Sequence, residues 1–375
     1  MTTSRTQVRR RTGAAGEPGT TESDPVAVAV RAGLIHVTDT VPGITRERHP
    51  DGWLYRRPDG VPIVEPGERS WIDAIGIPPG WTHVWISPTP EGHILATGRD
   101  ARGRKQYRYN PRWREVRDAT KYHRMTEFGQ ALPGLRRHID ADLDRPGLPR
   151  EKVLGAVLRL MDETLIRIGN EEYARQNHSF GLTTLQHDHV RSEDCTTIAF
   201  EFRAKSGKQQ RVRLSDPRLA TVVHACHELP GHALFQYVTD EGGVARVGSA
   251  DVNAYLKAVT WAAFTAKDFR TWGGSVTAAE ALVELGPPRS ASDAQSKIVA
   301  AIDAAAARLN NTRAVCRKSY VNPRVPGAYV DGSLDDAFAR APGARSGAGP
   351  AAALRVGGAR GDRYVTQLPP SLWRG

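Results

Sequence analysis

Apolar side chains at Val153, Val157, Leu160, Met161, Leu165 and Ile168 recur every three or four positions, a spacing that lays one stripe along a helix over residues 152–168. Gly169 follows as a candidate C-cap, since glycine readily takes the left-handed backbone that closes many helices. The same period predicts helices over residues 252–265 and 293–310. In the second, Ile298, Ile302, Ala305 and Leu309 face inward and Ser292-Asp293-Ala294-Gln295 reads as a capping box. Residues 26–112 follow a different rule. Short runs rich in β-branched and aromatic residues, such as Val84-Trp85-Ile86-Ser87 and His93-Ile94-Leu95-Ala96-Thr97, are broken by Pro78-Pro79-Gly80, Pro88 and Pro90, which predicts a small antiparallel sheet. A second alternation, over residues 196–203 and again over 209–214, predicts a β-hairpin within the helical region, with Lys205 at its tip.

These patterns divide the chain into a polar segment over residues 1–24, a β-rich domain over 25–115, a mainly helical domain over 116–330 and a Gly/Ala/Pro/Arg-rich segment over 331–375. The fold class expected is therefore α+β: a small antiparallel sheet domain followed by a helical domain that carries a hairpin. The helical pattern is read from about Arg117. Both end segments lack apolar periodicity and are expected to be disordered, with Tyr364, Val365 and Trp373 as candidates to pin the last one. With 39% hydrophobic residues, 375 positions suffice for two cores.

Charge adds a partner to this picture. Lys and Arg number 52 against 41 Asp and Glu, a net charge of +11 that favours a polyanion. The excess is concentrated: residues 99–124 hold ten Lys/Arg and three acids, interleaved with Tyr107, Tyr109, Trp113 and Tyr122. Cations beside aromatic faces suit phosphates flanked by sugars and bases. Cys195, Cys226 and Cys316 are odd in number and have no C-x-x-C spacing, which indicates neither a disulfide framework nor a cysteine zinc site. His227 and His232 are five apart across Pro230-Gly231, not the i, i+4 of a helical zinc site, and the histidines at 178, 187 and 189 have no regular ligand spacing. Gly98-Arg99-Asp100-Ala101-Arg102-Gly103-Arg104 lacks a Walker lysine-serine arrangement, so no ATP site is read. No stretch reaches the roughly 18 apolar residues of a membrane span. A cytoplasmic, nucleoid-associated monomer is expected.

Four separated strings carry the chemistry. Tyr320 lies in Cys316-Arg317-Lys318-Ser319-Tyr320-Val321-Asn322-Pro323, Arg167 in Leu165-Ile166-Arg167-Ile168-Gly169-Asn170, Lys205 in Phe202-Arg203-Ala204-Lys205-Ser206-Gly207-Lys208, and Arg270 in Lys267-Asp268-Phe269-Arg270-Thr271-Trp272-Gly273-Gly274. Each alone has an ordinary reading: a filler tyrosine, helix-end arginines, a turn lysine. In this order and spacing they resemble the active site of type IB DNA topoisomerases, in the small branch of bacteria and poxviruses. The resemblance covers roughly residues 44–330 and implies a clamp around duplex DNA, with Tyr320 attacking a phosphodiester to give a 3′-phosphotyrosyl link and a free 5′ hydroxyl. It implies that Arg167 and Arg270 hold the non-bridging oxygens and that Lys205 protonates the leaving oxygen. Neither ATP nor a metal is then required. Lys267, one turn before Arg270, is a further candidate phosphate contact.

Residues 98–109 also resemble the segment by which the family's N-terminal domain grips DNA, which makes Arg104, Gln106, Tyr107 and Tyr109 the candidate contacts. One position departs from the pattern. Where many relatives place a histidine nine residues before the tyrosine, this chain has Asn311, whose amide can donate to a phosphate oxygen but cannot be protonated. Two rivals remain, a tyrosine recombinase and a catalytically idle DNA-binding protein. The lysine three before Arg270 and the N-terminal resemblance both speak against the first.

Overall fold

In the computed structural model, which describes residues 25–339, the alternating runs of the first part close into one antiparallel sheet. After a short helix α1 (Pro25–Arg31) come β1 (Ile44–His49), β2 (Gly52–Arg56), helix α2 (Pro66–Ala74), β3 (Thr82–Ile86), β4 (Ile94–Arg99) and β5 (Lys105–Tyr109). The strand order is β2-β1-β3-β4-β5, so β5 is an edge. Pro66 opens α2 at a position where its missing N–H costs nothing, and the Glu65 carboxylate accepts from Glu68 N. Ile44, Tyr55, Ile63, Ile72, Ile86 and Ala96 form the core under the sheet. Full burial of each such aliphatic side chain is worth about 1.5–3 kcal/mol. A smaller cluster joins Val28, Ala29 and Leu34 to Trp113.

The chain divides into two compact units between Lys121 and Tyr122. That division falls inside helix α3 (Pro111–Leu143), which starts earlier than the Arg117 read from periodicity. Asn110 Oδ1 accepts from Arg112 N at 3.1 Å, and Pro111 supplies a first helical residue with no N–H to satisfy.

The second unit holds α4 (Arg150–Thr164), α5 (Glu171–Asn177), β6 (Val190–Ser192), β7 (Thr197–Arg203), β8 (Gln209–Ser215), α6 (Pro217–His227), β9 (Gln236–Val238) and β10 (Val244–Arg246). Helices α7 (Ser249–Thr260), α8 (Ala266–Leu285), α9 (Ala291–Arg308), α10 (Arg313–Ser319), α11 (Arg324–Val330) and α12 (Ser333–Ala339) complete it. Its core runs through α4, α8 and α9, with Val157, Leu160, Phe269, Val276, Ile298 and Ile302 all buried. Strands β7 and β8 pair antiparallel in the expected hairpin, Arg203 facing Gln209.

Several boundaries differ from the periodic reading. Helix α4 stops at Thr164, not Ile168, because Leu165 itself turns left-handed (φ 54°, ψ 21°). The stripe at 252–265 is two elements: α7 ends before Trp261, and Thr265 is the N-cap of α8. Helix α9 begins at Ala291, two residues before the expected Asp293, since Ser290 rather than Ser292 takes the Asp293 N–H, at 3.1 Å. The segment expected to be disordered from 331 starts with α12, held by buried Leu334 and Ala337. Expectations for residues 1–24 and for Tyr364, Val365 and Trp373 lie outside the described residues. Among those described, no helix is long and apolar enough to cross a membrane.

Candidate active site

Tyr320 sits where α10 stops. Its N–H still reaches Cys316 O at 2.9 Å, but φ −132° and ψ −26° take the chain out of the helix. Asn322 Oδ1 then accepts from Arg324 N at 3.0 Å and opens α11. The turn between is fastened from outside. The buried Ser275 hydroxyl lies 3.0 Å from the Tyr320 carbonyl oxygen and 2.9 Å from that of Thr271, and it accepts from Asn322 N at 2.9 Å. Tyr122 Oη donates to Val321 O at 3.1 Å. Such a backbone can aim one phenol, because its own N–H and carbonyl and the next carbonyl are already bonded.

Helix α8 comes this close because of two glycines. A Cβ at Gly274 would lie 3.2 Å from Tyr320 Cβ and 2.9 Å from Leu309 Cδ1; one at Gly273 would lie 2.5 Å from Leu165 Cδ1. A methyl at either place would push aside the Leu165 or Leu309 side chain and press on Tyr320. Ser275 and the glycine pair were not read as functional from the sequence, and Tyr122 was read only as an aromatic of the basic 99–124 stretch. A Gly-Gly step inside a strong helical pattern is the one signal that could have raised the question.

Arg270, four positions before Gly274 on α8, is 5% exposed. Its Cζ lies 5.1 Å from the centroid of the Tyr320 ring. One terminal nitrogen donates to Leu165 O, and the other donates to Leu309 O at 2.9 Å, while the buried Nε has no hydrogen-bond partner in the protein. Arg270 thus ties the turn before Arg167 to the turn before Asn311. Arg167 donates in turn to Asn311 Oδ1. Because guanidinium only donates, the amide must present its oxygen there. Asn311 Nδ2 is left buried and without a partner. Burial lowers both guanidinium pKa values. That of Arg167 is pushed down to about 10, with the Arg270 charge adding to the fall and Tyr320 opposing it. Burial is also the leading cause at Arg270, again opposed by Tyr320. Both stay cationic at neutral pH.

Lys205 stands apart. It is exposed in the one-turn 3-10 helix Lys205–Gly207 at the tip of the β7–β8 hairpin, where Ser206 and Gly207 both take positive φ (66° and 73°). No hydrogen bond joins it to the cluster among the described residues. The strand ends that flank this tip, however, are fixed. Asn310 Nδ2 donates to Gln210 Oε1 at 2.8 Å, and Phe180 N donates to Arg203 O at 2.8 Å. Lys267 is exposed, one turn before Arg270.

The candidate DNA contacts of the first unit lie on β5 and the turn before it. Tyr107 and Tyr109 alternate onto one face, stacked at 5.8 Å with rings 12° apart. Arg104 and Gln106 are both held by Asp100, at 2.7 and 2.9 Å. Asp100 consequently sits at a pKa of about 2, chiefly through Arg104. Lys105 is paired with Asp39 at 2.6 Å. An exposed pair of this kind is worth only about 0–1 kcal/mol, which a phosphate can replace.

Residues 110–324 match the family described as eukaryotic DNA topoisomerase I, catalytic core, and residues 52–100 match that described as bacterial DNA topoisomerase IB, N-terminal domain. The chain is 32% identical over 286 residues to DNA topoisomerase 1B of Acanthamoeba polyphaga mimivirus, a match covering 74% of this chain and 85% of that protein. It is 24% identical over 251 residues to DNA topoisomerase 1 of Schizosaccharomyces pombe, covering 64% of this chain and 28% of that one.

Proposed function

This chain belongs to the type IB DNA topoisomerases, and from that we propose that it relaxes supercoiled duplex DNA without ATP or a metal ion. Tyr320 Oη attacks a phosphodiester phosphorus; the 3′-phosphotyrosyl bond forms as the P–O5′ bond breaks, and the departing 5′ oxygen takes a proton from Lys205. After the downstream duplex swivels, the 5′ hydroxyl attacks the same phosphorus and releases the tyrosine. Arg167, Arg270 and Asn311 stabilise the charge on the non-bridging oxygens, the task that a metal performs elsewhere.

The observation that carries this reading is the pair of buried donors, Arg270 Nε and Asn311 Nδ2, left without partners around Tyr320. Buried N–H groups rarely go unpaired, and a phosphate with several acceptor lone pairs suits both. Lys267, Arg104, Gln106, Tyr107 and Tyr109 are proposed to contact the duplex, Arg104 and Gln106 by exchanging Asp100 for phosphate. We take the working form to be a monomer on chromosomal DNA.

Quenching a reaction with supercoiled plasmid in detergent, with EDTA present and ATP absent, is expected to trap a covalent adduct whose peptide maps to Tyr320. An adduct elsewhere, or activity that chelation abolishes and one divalent ion restores, overturns the reading. Asn311→Ala is expected to slow cleavage about 10–100-fold, the worth of one hydrogen bond to a charged group. Asn311→His should cleave at least as fast as the native chain, because imidazole supplies a donor at the same place. A folded but inactive Asn311→His would show that the position does not serve the phosphate.

A further inference from the structure

Trp261 is the most exposed large apolar side chain of the described residues, at 93%. It also holds a left-handed backbone, φ 53° and ψ 21°, as the C-cap of α7. Either property alone is unfavourable for tryptophan: the indole gains nothing from burial, and a bulky side chain resists positive φ. Such a combination persists where the surroundings enforce it, and here they do. Arg124 donates to Ala263 O and to Asp268 Oδ2, the latter at 3.3 Å, and the Phe264 ring packs edge-on against Phe128 at 5.2 Å. The loop is therefore anchored from inside at Ala263 and Phe264, while Trp261 is left outward.

The charge around the ring indicates what covers it. Lys257, four residues earlier, and Lys267, on the first turn of α8, are both exposed, with no acidic partner among the described residues. The nearby carboxylate of Asp268 is already used by Thr265 N and Arg124. From Lys267 the helix continues to Arg270 and Gly274, which face Tyr320. An exposed indole with exposed lysines four residues before and six after it, on the loop leading into the catalytic helix, fits a polyanion whose backbone alternates phosphates with apolar sugar faces.

We propose that Trp261 is a further DNA contact of the catalytic unit, its indole packing on a deoxyribose of the duplex backbone next to the phosphates held by Lys257 and Lys267. This rests on the topoisomerase reading above. Glycine at this position removes the ring and relieves the backbone; tyrosine restores an aromatic plane.

Duplex affinity is measured by fluorescence anisotropy over a range of salt concentrations, in the Tyr320→Phe chain so that no cleavage intervenes. Trp261→Gly is expected to weaken binding about tenfold, the order of burying one large apolar side chain. It should also raise the melting temperature by about 2–4 °C. Trp261→Tyr should recover most of the affinity. The salt slope should stay unchanged in both, since no phosphate contact is lost, whereas Lys267→Ala should flatten it by about 0.9. Native affinity in Trp261→Gly, or a loss that Trp261→Tyr does not restore, overturns the proposal. The covalent adduct at Tyr320 is scored in parallel on the otherwise native chain. Its absence removes the topoisomerase reading, while an intact adduct with affinity indifferent to Trp261 removes only this inference.

Discussion

Tyr320→Phe is expected to retain supercoiled plasmid in a gel-shift assay and to leave it fully supercoiled, a loss of cleavage on the order of 10⁴-fold or more. One oxygen is removed, while the ring that faces Arg270 and the bonds that hold its backbone, from Ser275 and Tyr122, all remain. The fold and the DNA-binding surface should therefore be native, and unchanged near-ultraviolet dichroism would establish that. Relaxation by this variant at even one per cent of the native rate would mean that another nucleophile operates.

Lys205→Ala and Arg270→Ala should separate under a change of leaving group. Loss of a general acid costs about 10²–10⁴-fold and loss of an oxyanion donor about 10²–10³-fold, so rates on ordinary DNA do not tell the two roles apart. Sulfur at the bridging 5′ position does, since a thiolate departs without help from a proton. Cleavage of that substrate by Lys205→Ala should return close to the native rate. Arg270→Ala should stay slow, because charge on the non-bridging oxygens still goes uncompensated and the Leu165 and Leu309 carbonyls lose their donor. Equal rescue of both, or of neither, would show that the proton comes from a group other than Lys205.

The elements that build the site were legible in the sequence where their cause is local. Alternation in 197–203 and 209–215 marks the hairpin, and the three-four stripe marks α4 and α9, since both are periodicities of the chain itself. What periodicity could not supply was any ending set by a distant partner. Helix α4 stops at Thr164, where left-handed Leu165 turns its carbonyl to Arg270, 105 positions away, and Gly169 is not used as the cap. The Gly273–Gly274 pair likewise makes sense only once Leu165 and Tyr320 are seen against it. Asn311 was legible as a residue out of pattern, but its pairing with Arg167 across 144 positions was not. Lys205 is the opposite case. Its place on a hairpin tip follows from the sequence, whereas the proton transfer proposed for it requires the leaving oxygen of bound DNA within reach.

Arg167 and Arg270 both lie near Tyr320 with an amide and two carbonyls as their hydrogen-bond acceptors, and the Arg270 charge adds to the fall in the Arg167 pKa. On the proposed function, a bound phosphodiester would pair with these two buried cations and is expected to stabilise the folded chain as well as react. Ligands that bind only the native state stabilise it by mass action. On the proposed cycle the anion never leaves: a diester of the strand becomes a diester of Tyr320 and then of the strand again, with one negative charge throughout. The cleaved and sealed states are balanced electrostatically, so the chemistry is reversible in place. Departure from DNA, which takes that anion away from the two cations, becomes the step that the fold resists.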